Sequence, residues 1–128
     1  MSKIQEDFFK ETYPYLLRMN EKDTPAGKVI DNIKLFVERT GRAITTSQLR
    51  NIYSKILSIK EDNLTALQLI RPKLAYIAAR QQRGESKELV MFFDEIISLV
   101  KTSEELKSFK TFFESVIAYH KFYHPEKN

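Results

Sequence analysis

The sequence predicts an all-α, single-domain bundle of about five helices, and three observations carry that prediction. Apolar residues recur at spacings of three and four through most of the chain. Only three Gly and four Pro occur in 128 residues. Helix-start signatures stand immediately before several of the apolar runs. With 42% hydrophobic and 30% charged residues, the composition is that of a folded chain, and the length suits one core. Residues 1–24 read as an N-terminal arm, 25–124 as the bundle and 125–128 as a tail.

In the arm, Phe8, Phe9, Tyr13, Tyr15, Leu16 and Leu17 are interrupted by Pro14, which breaks any helix begun at Ile4. A short helical or irregular docking segment is expected. Asn20 to Gly27 is polar and reads as a linker, with Thr24 as N-cap and Pro25 at the first helical position. Val29, Ile33, Phe36 and Val37 then give a helix over 26–40, stopped at Gly41.

Thr45 and Gln48 have capping-box form, and Leu49, Ile52, Tyr53, Ile56 and Leu57 make the buried stripe of the next helix. Its other face is Ser47, Arg50, Asn51, Ser54, Lys55 and Ser58. After a turn at residues 60–63, Leu64, Leu67, Ile70, Leu74, Ile77 and Ala78 resume the period as far as a stop at Gly84. Pro72 makes this either one kinked helix or two helices. Ser86 can cap the following helix, whose arc from Leu89 to Val100, Leu99 included, is wide enough to require cover on two sides. Thr102 and Glu105 repeat the capping box before a last helix bearing Leu106, Phe109, Phe112, Phe113, Val116, Ile117, Tyr119 and Phe122. The short connection predicts a tight hairpin of these two helices, and their aromatic stripe reads as core.

The absence of cysteine removes disulfides, thiolate chemistry and Cys-based zinc sites. The opening Met-Ser-Lys-Ile-Gln-Glu-Asp carries acids where a secretory leader is apolar, and no run approaches membrane-spanning length. A cytoplasmic protein, neither exported nor inserted, is expected.

No catalytic constellation stands out, and the reading is of a protein that is not an enzyme and carries no cofactor. Asp94 with Glu95 and Glu104 with Glu105 are helix neighbours pointing about 100° apart, so neither pair shares a site. His120 and His124 have metal-compatible spacing but lack a third ligand, and imidazoles in a last turn also suit the helix dipole. No Arg precedes either at the short interval used by helical ribonucleases.

Charge is unevenly spread. Residues 39–83 hold nine bases (Arg39, Arg42, Arg50, Lys55, Lys60, Arg71, Lys73, Arg80, Arg83) and two acids, Glu61 and Asp62, a net +7 within an overall +4. Lys73, Tyr76, Arg80 and Arg83 follow helical steps and line one face, a basic stripe with an aromatic in it. Such a face can hold a polynucleotide backbone or simply be solvated, and pattern alone does not separate the two.

Two segments, Ile44-Thr-Thr-Ser-Gln-Leu-Arg-Asn-Ile-Tyr53 and Leu69-Ile-Arg-Pro-Lys-Leu-Ala-Tyr-Ile-Ala-Ala-Arg80, in this order and spacing, resemble the small helical subunit of type III-A CRISPR effector complexes, the Csm small-subunit family. The resemblance covers roughly residues 26–122. It implies a non-catalytic subunit of an RNA-guided antiviral complex. Such a subunit stacks with neighbouring copies of itself beside repeated backbone subunits and flanks guide RNA and target RNA. The family's basic positions correspond to Arg50, Lys73 and Arg80, and the charge map adds Arg39, Arg42, Lys55 and Arg83. Tyr53 and Tyr76 are expected to support packing. Two other readings compete: a helix-turn-helix DNA-binding protein built from residues 46–59 and 64–71, and a protein-only helical adaptor.

Overall fold

A computed structural model describes residues 2–126; Met1 of the arm and the last two residues of the tail lie outside the described residues. The chain forms α1 (Lys3–Phe8), a 3-10 turn (Tyr13–Leu17), α2 (Ala26–Thr40), α3 (Thr46–Leu57), α4 (Leu64–Gln68), α5 (Arg71–Ala79), α6 (Gly84–Ser98) and α7 (Ser103–Tyr123). Among the described residues there is no strand, and five helices are nine residues or longer. The all-α reading holds.

The arm forms one wall of the core. Ser2 caps α1, and Pro14 falls at the start of the 3-10 turn, where its missing amide costs no bond. Phe9 is fully buried, stacked on Phe92 with ring centroids 5.4 Å apart and edge-on to Phe36 at 5.4 Å. Burying such a ring is worth about 2–3 kcal/mol. The Tyr13 hydroxyl donates to Glu95 at 2.5 Å, which ties the arm to α6. Thr24 does not cap α2 as expected: its hydroxyl donates to the Arg18 carbonyl, and Pro25 occupies the cap.

Both expected capping boxes form, Thr45 with Gln48 at α3 and Thr102 with Glu105 at α7. Of the two alternatives at Pro72, the chain takes two helices. Leu69 and Ile70 make the turn between α4 and α5, and Pro72 sits at the second position of α5. α5 ends at Ala79, not at Gly84, which instead opens α6 behind Arg83. Ser86 is therefore inside α6 rather than capping it, and its buried hydroxyl has no hydrogen-bond partner among the described residues.

α6 is covered on two sides as its wide arc requires, by α5 and α4 on one and by α1 and α2 on the other. The short connection through residues 99–102 brings α7 back against α6, and the two helices meet through large rings, Phe93 on Phe113 at 4.2 Å and Phe92 on Phe112 at 6.3 Å. The backbones that approach closely are α5 with α6, and α7 with α2, α3 and the 3-10 turn. Leu57, Leu99 and Phe122, expected in the core, are exposed at 53%, 43% and 74% because each lies in or just past the final turn of its helix, beyond the covering elements.

Candidate nucleic-acid interface

The capping box at Thr45 sets the phase of α3. Thr46, Leu49, Ile52 and Ile56 turn inward and the whole expected outer face is exposed, while Tyr53 of the expected buried stripe is half-buried, stacked on Phe113 at 5.5 Å. Arg50 and Lys55 stand about 140° apart round the helix, on opposite rims of that face.

The Arg50 rim borders a groove of about 220 Å³ lined by Thr46, Ser47, Arg50, Lys121, Pro125 and Glu126. Glu126 accepts from the Ser47 amide at 2.6 Å and the Ser47 hydroxyl at 3.1 Å. Those two bonds, with the nearby Arg50 guanidinium, hold its carboxyl below the ordinary carboxylate range. The opposite rim borders a second groove, of about 280 Å³, lined by Gln48, Asn51, Ile77, Arg80 and Gln81.

On α5, Leu74 and Ala78 are buried while Lys73 and Tyr76 are exposed, and Arg80 caps the C-terminus with its guanidinium 5.7 Å from the Tyr76 ring centroid. Tyr76 does not support packing, being 66% exposed. Arg83 is not on the face of Lys73 and Arg80. The helix stops four residues before it, and extended backbone places it at the N-cap of α6. Arg71 is drawn inward by Asp94 at 2.9 Å and by Gln68 at 3.3 Å.

Arg39 lies in the last turn of α2, 3.9 Å from Glu38, and Arg42 in the turn that follows. Both are exposed, at the corner where the end of α7 meets α2 and α3. Among the described residues, Arg42, Arg50, Lys55, Lys73, Arg80 and Arg83 form no ion pair. Lys121, far from this region in sequence, joins Arg50 only through the fold, and no local pattern signals it.

His120 and His124 bind backbone. His120 is buried, with Nε2 donating to the Gly41 carbonyl at 2.8 Å and Nδ1 accepting from the Thr46 hydroxyl at 2.8 Å. His124 Nε2 lies 3.1 Å from both the Val37 and Glu38 carbonyls. Burial lowers the His120 pKa, against the raising effect of the Gly41 bond. Among the described residues no three potential metal ligands cluster, and no helix is long and apolar enough to cross a membrane. Nor does α4 suit a DNA recognition helix: five residues span only about 7–8 Å.

No curated protein and no solved structure matches the chain. The model of the Csm2 Type III-A family matches residues 24–126, which takes in both segments that carried the resemblance and every helix from α2 to α7. The chain belongs to the Csm2 family, the small subunit of type III-A CRISPR Csm complexes.

Proposed function

We propose that this protein lines guide and target RNA in a type III-A effector, gripping the phosphate backbone with the exposed cations of α3, α5 and the α2–α3 corner. It makes no bond-breaking contribution of its own. The observation that carries the reading is the set of unpaired, solvent-facing cations on this side of a Csm2 family fold: Arg50 and Lys55 on α3, and Lys73 and Arg80 on α5. Lys and Arg so placed displace the counterions condensed on RNA, giving affinity that is indifferent to sequence and falls with salt. Base pairing in the guide then supplies specificity. Arg39, Arg42 and Arg83 extend the positive surface at either end.

A single copy binds free RNA weakly, since few phosphates are engaged until neighbouring copies and backbone subunits add theirs. Exposed Leu57 and Leu69 offer apolar area for such subunit contacts. The test is the Lys73→Glu, Arg80→Glu double variant, with RNA retention followed across a salt series. Weaker binding with a flatter salt dependence and unchanged helicity supports the reading. Retention equal to that of the unaltered protein overturns it.

A further inference from the structure

We propose that the groove between α3 and α5 is a subsite for one unpaired RNA base, stacked against Arg80 and Tyr76, with its edge met by the amides of Gln48, Asn51 and Gln81. The inference rests on the reading that this face meets RNA, and adds to it a contact with a base rather than with phosphate.

The groove has the wrong chemistry for a phosphate. Among the described residues Arg80 is its one charged lining residue, and the others are three neutral amides and Ile77. A base edge asks for what amides offer, donors and acceptors without charge. The atoms left over fit that demand. Gln48 Oε1 accepts from the Thr45 amide at 2.9 Å, which leaves its Nε2 as a donor. Gln81 Nε2 donates to the Ile77 carbonyl at 3.4 Å, which leaves its Oε1 as an acceptor. The Asn51 side-chain amide has no partner among the described residues, so both its donor and its acceptor are available.

Stacking surface is present beside these amides. Tyr76 is the most exposed tyrosine among the described residues, and the Arg80 guanidinium lies over its ring while also lining the groove. Guanidinium and phenol planes stack on any base, and Ile77 supplies an apolar floor. At about 280 Å³ the groove falls just below the roughly 300–1,000 Å³ of pockets for drug-sized ligands, a scale that suits one planar heterocycle. Lys73 precedes Tyr76 by one turn and Lys55 follows Asn51 by one turn, so cations flank the groove for the phosphates on either side of the base.

The experiment measures binding of the full chain, at low salt and through a salt series, to single-stranded oligouridylate and to an abasic ribose-phosphate chain of equal length. Tyr76→Ala and Asn51→Ala are each expected to weaken oligouridylate binding about fivefold or more, with the salt slope unchanged. Tyr76→Phe should keep the affinity, and none of the three should change binding to the abasic chain. Photo-crosslinking from 4-thiouridine should map to residues 48–51 or 76–81. If Tyr76→Ala and Asn51→Ala bind oligouridylate like the unaltered protein while Lys73→Glu still weakens it, the base subsite is refuted and the backbone reading stands. If the unaltered protein retains no RNA at low salt, both are refuted.

Discussion

The imidazole of His120 bridges the Gly41 carbonyl and the Thr46 hydroxyl, at 2.8 Å on each side, so that one side chain of α7 fixes the corner between α2 and α3. This corner carries Arg42 and leads directly into Arg50, so the position of several proposed RNA contacts depends on a ring that itself never meets solvent.

Replacing Gly41 by Ala should destabilise the protein. Its backbone, at φ −90° and ψ 0°, tolerates any residue, so the cost is steric. An added Cβ would lie 2.8 Å from His120 Cδ2 and 2.8 Å from the Val37 carbonyl oxygen, and neither can retreat without breaking its own bonds. Overpacking of this kind costs about 1–3 kcal/mol, read as a lower urea midpoint. An unchanged midpoint would mean that the corner yields easily.

Stability should also decline on mild acidification, through His120. Burial lowers its folded-state pKa, while the unfolded chain takes up the proton near the ordinary value of about 6.5. The unfolded state therefore binds more protons in the interval below about 6.5. The contribution of neutral His120 is complete above that value, is lost as pH falls toward the folded pKa, and levels off below it. Neighbouring His124 reinforces the effect and Glu126 opposes it. In denaturant titrations at about pH 7.5 and pH 5.5, His120→Asn should lose less stability between the two conditions than the unaltered protein. An equal loss would show that His120 titrates as it does in water.

Glu126→Gln should raise RNA affinity. The carboxylate occupies the groove beside Arg50 and Lys121, where it offsets part of the positive potential offered to a phosphate. Its removal is expected to strengthen binding by roughly two- to fivefold at low salt, a gain that screening erases at high salt. Unchanged affinity at low salt would put the Arg50 groove off the RNA path.

Pro72→Ala should leave stability within about 1 kcal/mol, because Pro72 occupies the second position of α5, where an amide has no helical partner. The break before it is made by the turn through Leu69 and Ile70, whose amides already reach the Thr65 and Leu67 carbonyls. A large loss in thermal stability would show that the proline itself fixes the α4–α5 angle.

What the sequence made legible is what neighbouring residues decide. Thr45 with Gln48, Thr102 with Glu105, and the run from Ala26 to Gly41 each contain their own start or stop, and the structure follows them. Counting helical steps puts Arg83 on the face of Arg80 only if the helix is unbroken, and α5 ends at Ala79. Ser86 has the chemistry of a cap, but Gly84 is already helical and packing draws the serine inward. The partnerships that shape the candidate site are all distant in sequence: Glu126 with Ser47, His120 with Gly41, Lys121 beside Arg50, and Asp94 with Arg71. No periodicity encodes them, because they exist only once α7 and α6 have docked.

The placement of α7 has a bearing on how the chain is made. Among the described residues it is the longest helix, it is synthesised after α1 to α6, and it is the close backbone neighbour of α2, α3 and the 3-10 turn. A nascent chain interrupted before Ser103 has synthesised Phe36, Leu49 and Phe93 but not the helix that covers them, so its core stays open to water and to other chains. Folding of the bundle must wait until α7 has been made, and a product terminated before it is a substrate for proteases rather than a shorter working subunit.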